Sequence, residues 1–232
     1  MATTGTLTWL GHAAFRIDTP GGKRIYVDPF LTGNPTCPER ELEPDRVDAI
    51  FVTHGHSDHV GDTVRLAQSF GCPVVAPVEV RGWLERQGVE TDGGHDPNKG
   101  GTVELDGIKV TLTHAQHSSS ANDGTYLGEP CGLVFELEDG FKLYFAGDTN
   151  VFGDMALIAR IYEPALVVLP IGDHYTMGPR EAAVALELLG VKRCVPSHYG
   201  TFPLLTGTPE QLRELAPGFE IEAPDPGGSI AL

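Results

Sequence analysis

Three histidines and an aspartate fall within six residues in Thr53-His54-Gly55-His56-Ser57-Asp58-His59, directly after the apolar run Ala49-Ile50-Phe51-Val52. Alternate residues of an extended chain point the same way, so His54, His56 and Asp58 can converge as a strand runs out. His59 follows where the chain should turn into a helix, and it can approach from another side. Imidazole and carboxylate are ligands of zinc, manganese and iron. Asp58 also has a purely structural reading, as N-cap of a helix that starts near Val60. That reading leaves three clustered histidines without a purpose, so the stretch reads as a metal-binding motif.

Further pieces follow in a fixed order: Gln116-His117-Ser118-Ser119, Ala146-Gly147-Asp148-Thr149 and Pro196-Ser197-His198-Tyr199-Gly200. Gly11-His12-Ala13 precedes the motif, and Thr176-Met177-Gly178-Pro179 lies between the last two pieces. Over nearly its full length the chain resembles the metallo-β-lactamase-fold hydrolases. It looks most like a branch of metal-dependent hydrolases related to the L-ascorbate-6-phosphate lactonases. The resemblance implies an α/β fold, the αββα sandwich, with two mixed sheets face to face and helices on both outer faces. It implies two divalent metal ions, zinc foremost, with manganese or iron as alternatives. His54, His56 and His117 would hold the first metal; Asp58, His59 and His198 would hold the second, with Asp148 bridging. Two such cations share a water and lower its pKa towards ~7, giving a metal-bound hydroxide that attacks a carbonyl or phosphoryl centre. Asp28 would stand behind a histidine ligand and fix its tautomer. His12 would line the site. Asp58, His12 and His174 are the expected catalytic residues, with His174 reaching the substrate from the loop Gly172–Gly178.

Taken in order, residues 6–30 read as three short strands that end at Asp28-Pro29-Phe30, and residues 31–46 as a long loop that could border the substrate. A strand at 48–53 leads through the motif into a helix over about 60–70, capped by Gly71. A strand at 73–77 and a helix at about 78–87 follow. Asp106-Gly107 marks a hairpin. In its second strand Ile108, Val110, Leu112 and His114 share parity, which makes His114 a core residue or a support to a ligand. A second hairpin turns at Asp139-Gly140 and delivers Asp148. Helices at about 153–162 and 179–189 alternate with strands at 166–170 and 193–195, the last presenting His198. Each candidate ligand thus follows a strand, where open α/β sheets place their sites.

The formal net charge of −16 disfavours a phosphodiester backbone as partner, since that binding depends on Lys and Arg displacing counterions. A small-molecule substrate is expected, with no nucleic acid and no membrane partner; homo-oligomerisation is left open. Cys37, Cys72, Cys131 and Cys194 include no C-x-x-C pair, so reduced thiols are expected. Met1-Ala2-Thr3-Thr4-Gly5 lacks the pattern of a leader, and cytoplasmic location is the default. No linker-like break divides residues 1–232, so one domain is expected. Three functions compete. Hydrolysis of a small ester, lactone or phosphorylated metabolite stands first, followed by phosphodiester cleavage and by a metal-binding protein without hydrolytic activity.

Overall fold

A computed structural model describes residues 4–90 and 93–232. The leader reading of Met1–Gly5 rests in part on residues 1–3, which lie outside the described residues. Short alternating runs at Thr6–Trp9 (β1), Phe15–Asp18 (β2) and Arg24–Val27 (β3) form an antiparallel meander. Ala49–Phe51 (β4) and Val74–Val75 (β5) extend it in parallel. Between these two strands run helices Ser57–Val60 (α1) and Thr63–Phe70 (α2), and Val78–Arg86 (α3) follows β5.

The second sheet begins with antiparallel neighbours Thr102–Leu105 (β6), Ile108–His114 (β7), Cys131–Glu136 (β8) and Lys142–Phe145 (β9). Helices Met155–Tyr162 (α4), Pro179–Leu189 (α5) and Pro209–Leu215 (α6) then alternate with the parallel strands Leu166–Pro170 (β10), Arg193–Ser197 (β11) and Glu220–Ile221 (β12). Ser229–Ala231 (β13) returns to pair with β1. The sheet orders are β13-β1-β2-β3-β4-β5 and β12-β11-β10-β9-β8-β7-β6.

Period-two alternation assigns the faces. Phe15, Ile17, Phe51, Leu133, Phe135 and Phe145 meet between the sheets, with Phe51 and Phe135 edge to face at 4.9 Å. The opposite parity packs outward under helices: Tyr26, Ile50 and Val74 beneath α2 and α3, and Tyr144, Val167 and Cys194 beneath α4 to α6. Four layers result, helix–sheet–sheet–helix. This is the αββα architecture that the resemblance implied.

Several local expectations are corrected. The helix expected at 60–70 is two pieces, broken at Gly61, whose φ of 43° and ψ of −120° no other residue adopts readily. A Cβ there would lie 2.5 Å from the Pro29 carbonyl and 2.6 Å from Phe30 Cα, so the break lets the motif pack on Asp28-Pro29-Phe30. The N-cap of α1 is His56, and Asp58 lies inside the first turn with no capping role. His114 is exposed, with its ring edge on Phe152 and its Nδ1 3.2 Å from Lys99 Nζ. Parity misleads there because His114 is the last residue of β7, still paired with Cys131 but past the buried positions Val110 to Thr113. The cysteines need no correction: all four are free, with Cys194 buried under α4 to α6. Among the described residues no helix is long and apolar enough to cross a membrane.

Gly172, just past β10, packs against the backbone of the His198 segment, where an added Cβ would collide with the His198 carbonyl oxygen. Gly172→Ala should therefore cost about 1–3 kcal/mol of stability and shift His198. Thermal unfolding checks this directly; an unchanged melting temperature would show that the segment yields freely.

Candidate metal centre

The candidate ligands converge at one edge of the sandwich, where β4, β7, β9 and β11 end. His54 and His56 follow β4, Asp58 and His59 occupy α1, and His117 lies past β7. Asp148 and His198 follow β9 and β11 respectively. Their donor atoms fall into three overlapping groups, each within 4.8 Å: His54, His56 and His117; His54, His59 and Asp148; and His12, Asp58, His59 and His198. Asp148 joins the two ends. Its Oδ2 is 3.2 Å from His59 Nε2, 3.1 Å from His198 Nε2 and 3.6 Å from His117 Nε2.

The sequence folds this way because supports behind the ligands fix their orientation. Asp28, buried after β3, accepts from Thr53 N at 2.8 Å, from the Thr53 hydroxyl at 2.7 Å and from His59 Nδ1 at 2.8 Å. The Thr53 hydroxyl proton is thus committed to Asp28, and its oxygen accepts from His54 Nδ1 at 2.9 Å. One carboxylate therefore sets the tautomers of both His54 and His59, leaving each Nε2 lone pair turned to the centre. Ser119 ties the motif to the second sheet: Gly55 N donates to its Oγ at 3.1 Å, and that hydroxyl donates to the Leu127 carbonyl. The carbonyl of His12 accepts from Trp9 Nε1 and His198 N, both at 2.9 Å, which pins the first sheet to the loop carrying His198. His12, Asp28 and His198 all hold positive φ (56°, 47° and 54°), the kind of backbone strain that gathers at functional sites.

His12 is fully buried, with Nε2 2.9 Å from Asp58 Oδ2 and Nδ1 3.0 Å from Thr201 Oγ1. Burial pushes His12 down to about 4, so it is neutral and its single proton sits on Nε2, facing the carboxylate. Burial also lowers His54, His56 and His117. Two histidines go the other way. Burial opposes charge on His59 and His198 as well, yet it is outweighed by Asp148, with help from Asp28 and Asp58 at His59 and from Asp58 at His198. His59 rises well above its ordinary value and His198 rises to about 9. Reciprocally, burial would raise Asp58 and Asp148, but the surrounding imidazoles hold both well below the carboxylate range.

These residues fit divalent cations. His59 Nε2 is buried and has no hydrogen-bond partner among the described residues, although Asp148 Oδ2 lies 3.2 Å away. Two ring nitrogens, His54 Nε2 and His56 Nδ1, face each other at 3.0 Å. A cation between such lone pairs and carboxylates satisfies them all, as a proton does only in part.

Residues 23–199 match the family described as the β-lactamase superfamily domain. The chain belongs to the β-lactamase superfamily. A UPF0173 metal-dependent hydrolase of Herpetosiphon aurantiacus is 54% identical over 217 residues, covering 92% of this chain and 90% of the relative. Among solved structures, the metallo hydrolase Igni18 of the archaeon Ignicoccus hospitalis superposes with a TM-score of 0.87 at 32% identity, covering 99% of both chains. An isothiocyanate hydrolase from Delia radicum gut bacteria gives 0.76 at 26% identity, covering 98% of this chain and 99% of the other. The chain is accordingly a metal-dependent hydrolase of the metallo-β-lactamase fold.

Beside the centre of this superfamily member lies a cavity of about 760 Å³, lined by His12, His56, Asp58, His117, Asp148 and His198 among others. The loop 31–46 contributes nothing to the lining; Phe30, just before it, does. His174 stands outside the lining and is exposed, with its ring against Tyr175 at 4.4 Å. Tyr175 is the residue of that loop that reaches the cavity. Positive φ at both Asp173 (66°) and His174 (56°) reverses the loop, so side-chain direction there cannot be counted from α5. Sequence reasoning does not reach Thr201, Phe202 and Leu204, because the segment after His198 carries no motif. The apolar run Phe202-Pro203-Leu204-Leu205 in a glycine-flanked loop is the signal that could have found them.

The opposed shifts predict a proton count. At pH 7 zinc loading should release at least the two protons held by His59 and His198, because burial lowers His54, His56 and His117 towards the neutral form; an acidified water would add to that number. Calorimetry in buffers of different ionisation heat measures this, and release near zero would contradict it. In the metal-free protein the raised His198 contributes stability that is fully present below 6.5 and lost as pH rises through about 9. Alkali should therefore destabilise the metal-free protein in that window.

Proposed function

We propose that the protein holds two divalent cations, zinc foremost, and hydrolyses an ester, lactone or related electrophilic bond of a small molecule. The observation that carries this reading is Asp148 Oδ2, placed between the His54-His56-His117 group and the Asp58-His59-His198 group. Bound cations would acidify a water and polarise the bond under attack.

The chain's own residues do the positioning. Asp28 holds His54 and His59 in the tautomers that present Nε2. His12 donates from Nε2 to Asp58 Oδ2, which keeps that oxygen an acceptor and the side chain ionised. Asp58 is 30% exposed and lines the cavity, where it can orient a water by hydrogen bonding. No serine or cysteine nucleophile is required: Ser118 and Ser120 belong to the polar wall, and the buried thiols are pushed up by desolvation, Cys72 to about 11. The isothiocyanate hydrolase among the structural relatives acts on an electrophilic carbon, which is consistent with attack by water on this scaffold.

Turnover tests the reading. A panel of esters, lactones and phosphodiesters is offered to zinc-loaded and to chelator-stripped protein. Metal-dependent cleavage at a carbonyl centre is expected. Cleavage of phosphodiesters alone would establish the second reading instead.

A further inference from the structure

We propose that the cavity receives the uncharged aromatic or alkyl body of its substrate, and that a substrate bearing a phosphate or carboxylate away from the scissile bond is rejected. The inference rests on the hydrolase reading of the same centre and narrows its substrate class.

Four large apolar side chains line the cavity: Phe30, Tyr175, Phe202 and Leu204. Three of them are also markedly solvent-exposed, Tyr175 at 54%, Leu204 at 51% and Phe202 at 37%. They arrive on two separate loops, after β10 and after β11, yet meet at one mouth. Large apolar groups held together in water at the rim of a pocket mark a surface that is covered when a partner binds. The volume of about 760 Å³ suits a small organic molecule rather than a polymer.

The rest of the lining sharpens the class. Ser57, Ser118, Ser120 and Asn122 are polar without charge, and among the described residues neither lysine nor arginine lines the cavity. A phosphate or carboxylate far from the cations would find only neutral donors there, with no guanidinium or ammonium to offset its charge. Here it would instead lose water against aromatic rings, in a chain of net charge −16.

Hydroxamic acids test this without a known substrate, because the hydroxamate grips divalent cations while the tail probes the walls. Calorimetry on the zinc-loaded full chain compares acetohydroxamate, 4-phenylbutanohydroxamate and the latter carrying a para-carboxylate or para-phosphate. The phenyl tail should bind about tenfold or more tighter than the methyl, and the charged tails should forfeit that gain. Phe202→Ala combined with Leu204→Ala, both exposed, should shrink the phenyl-to-methyl ratio. Charged tails that bind as well as or better than the neutral tail overturn the inference. So does an absent phenyl gain when acetohydroxamate still binds, though the metal centre then stands. No binding by any hydroxamate sinks both. A neutral-tail preference without turnover of any ester or lactone leaves the inference intact and removes the ester-and-lactone reading instead.

Discussion

Asp148→Asn should abolish turnover, by about a thousandfold or more, the scale of losing a preorganised electrostatic group, while the fold survives. The substitution keeps the side chain's size but replaces the anion that faces His59, His117 and His198 at 3.1–3.6 Å. Metal affinity should fall by more than the ~10–100-fold that a residue behind a ligand costs. The alternative, a turn aspartate, makes the opposite forecast of lower stability with intact catalysis. Zinc titration against a chromophoric chelator, with turnover measured on the same samples, separates the two. Near-native activity at full metal loading would remove Asp148 from the centre.

Asp28 is expected to have the next largest effect, and two variants divide its roles. Asp28→Ala leaves Thr53 N–H, the Thr53 hydroxyl and His59 Nδ1–H without their acceptor in a site where Asp28 is only 2% exposed. At about 1–3 kcal/mol per stranded donor, with incomplete additivity, the loss should reach about 3 kcal/mol. Asp28→Asn tolerates the left-handed backbone at φ 47° and can still accept from Thr53 N–H through its remaining oxygen, while the Thr53 hydroxyl loses the Oδ2 that it shares with His59 Nδ1. Its amide, however, donates toward His59 Nδ1, moving the ring proton to Nε2 and blocking the ligand nitrogen. The Asn variant should therefore unfold near the native temperature yet bind metal ~10–100-fold more weakly. Native-like metal affinity in Asp28→Asn would show that tautomer control is unimportant here.

The metal motif was legible because ligand chemistry demands specific residue types, and no packing argument produces His54, His56 and His59 together. The sandwich was expected from the resemblance and not from periodicity, because its central strands are apolar on both faces: Leu133 and Phe135 face the inner layer while Val134 and Tyr144 face the helices. What stayed illegible depends on backbone geometry that residue types do not encode. His114 keeps its strand parity but lies beyond the core. The loop bearing His174 reverses through two consecutive positive φ values and delivers Tyr175 to the cavity instead. Helix α2 begins late because Gly61 must let α1 approach the Pro29 carbonyl, a long-range contact. Phe202 and Leu204 carry no motif and come to line the cavity only through the path of the chain between β11 and α6. His12 was expected at the site through the resemblance alone; its grip on Asp58 joins residues 46 positions apart in sequence.

The central claim is that one centre holds two cations bridged by Asp148, and metal counting tests it most directly. Protein stripped with chelator, reloaded with zinc and freed of excess should carry two zinc ions per chain by elemental mass spectrometry, and His198→Ala should carry fewer under the same conditions. Saturation of the unaltered protein at one zinc per chain, with His198→Ala binding that zinc equally well, would contradict the account.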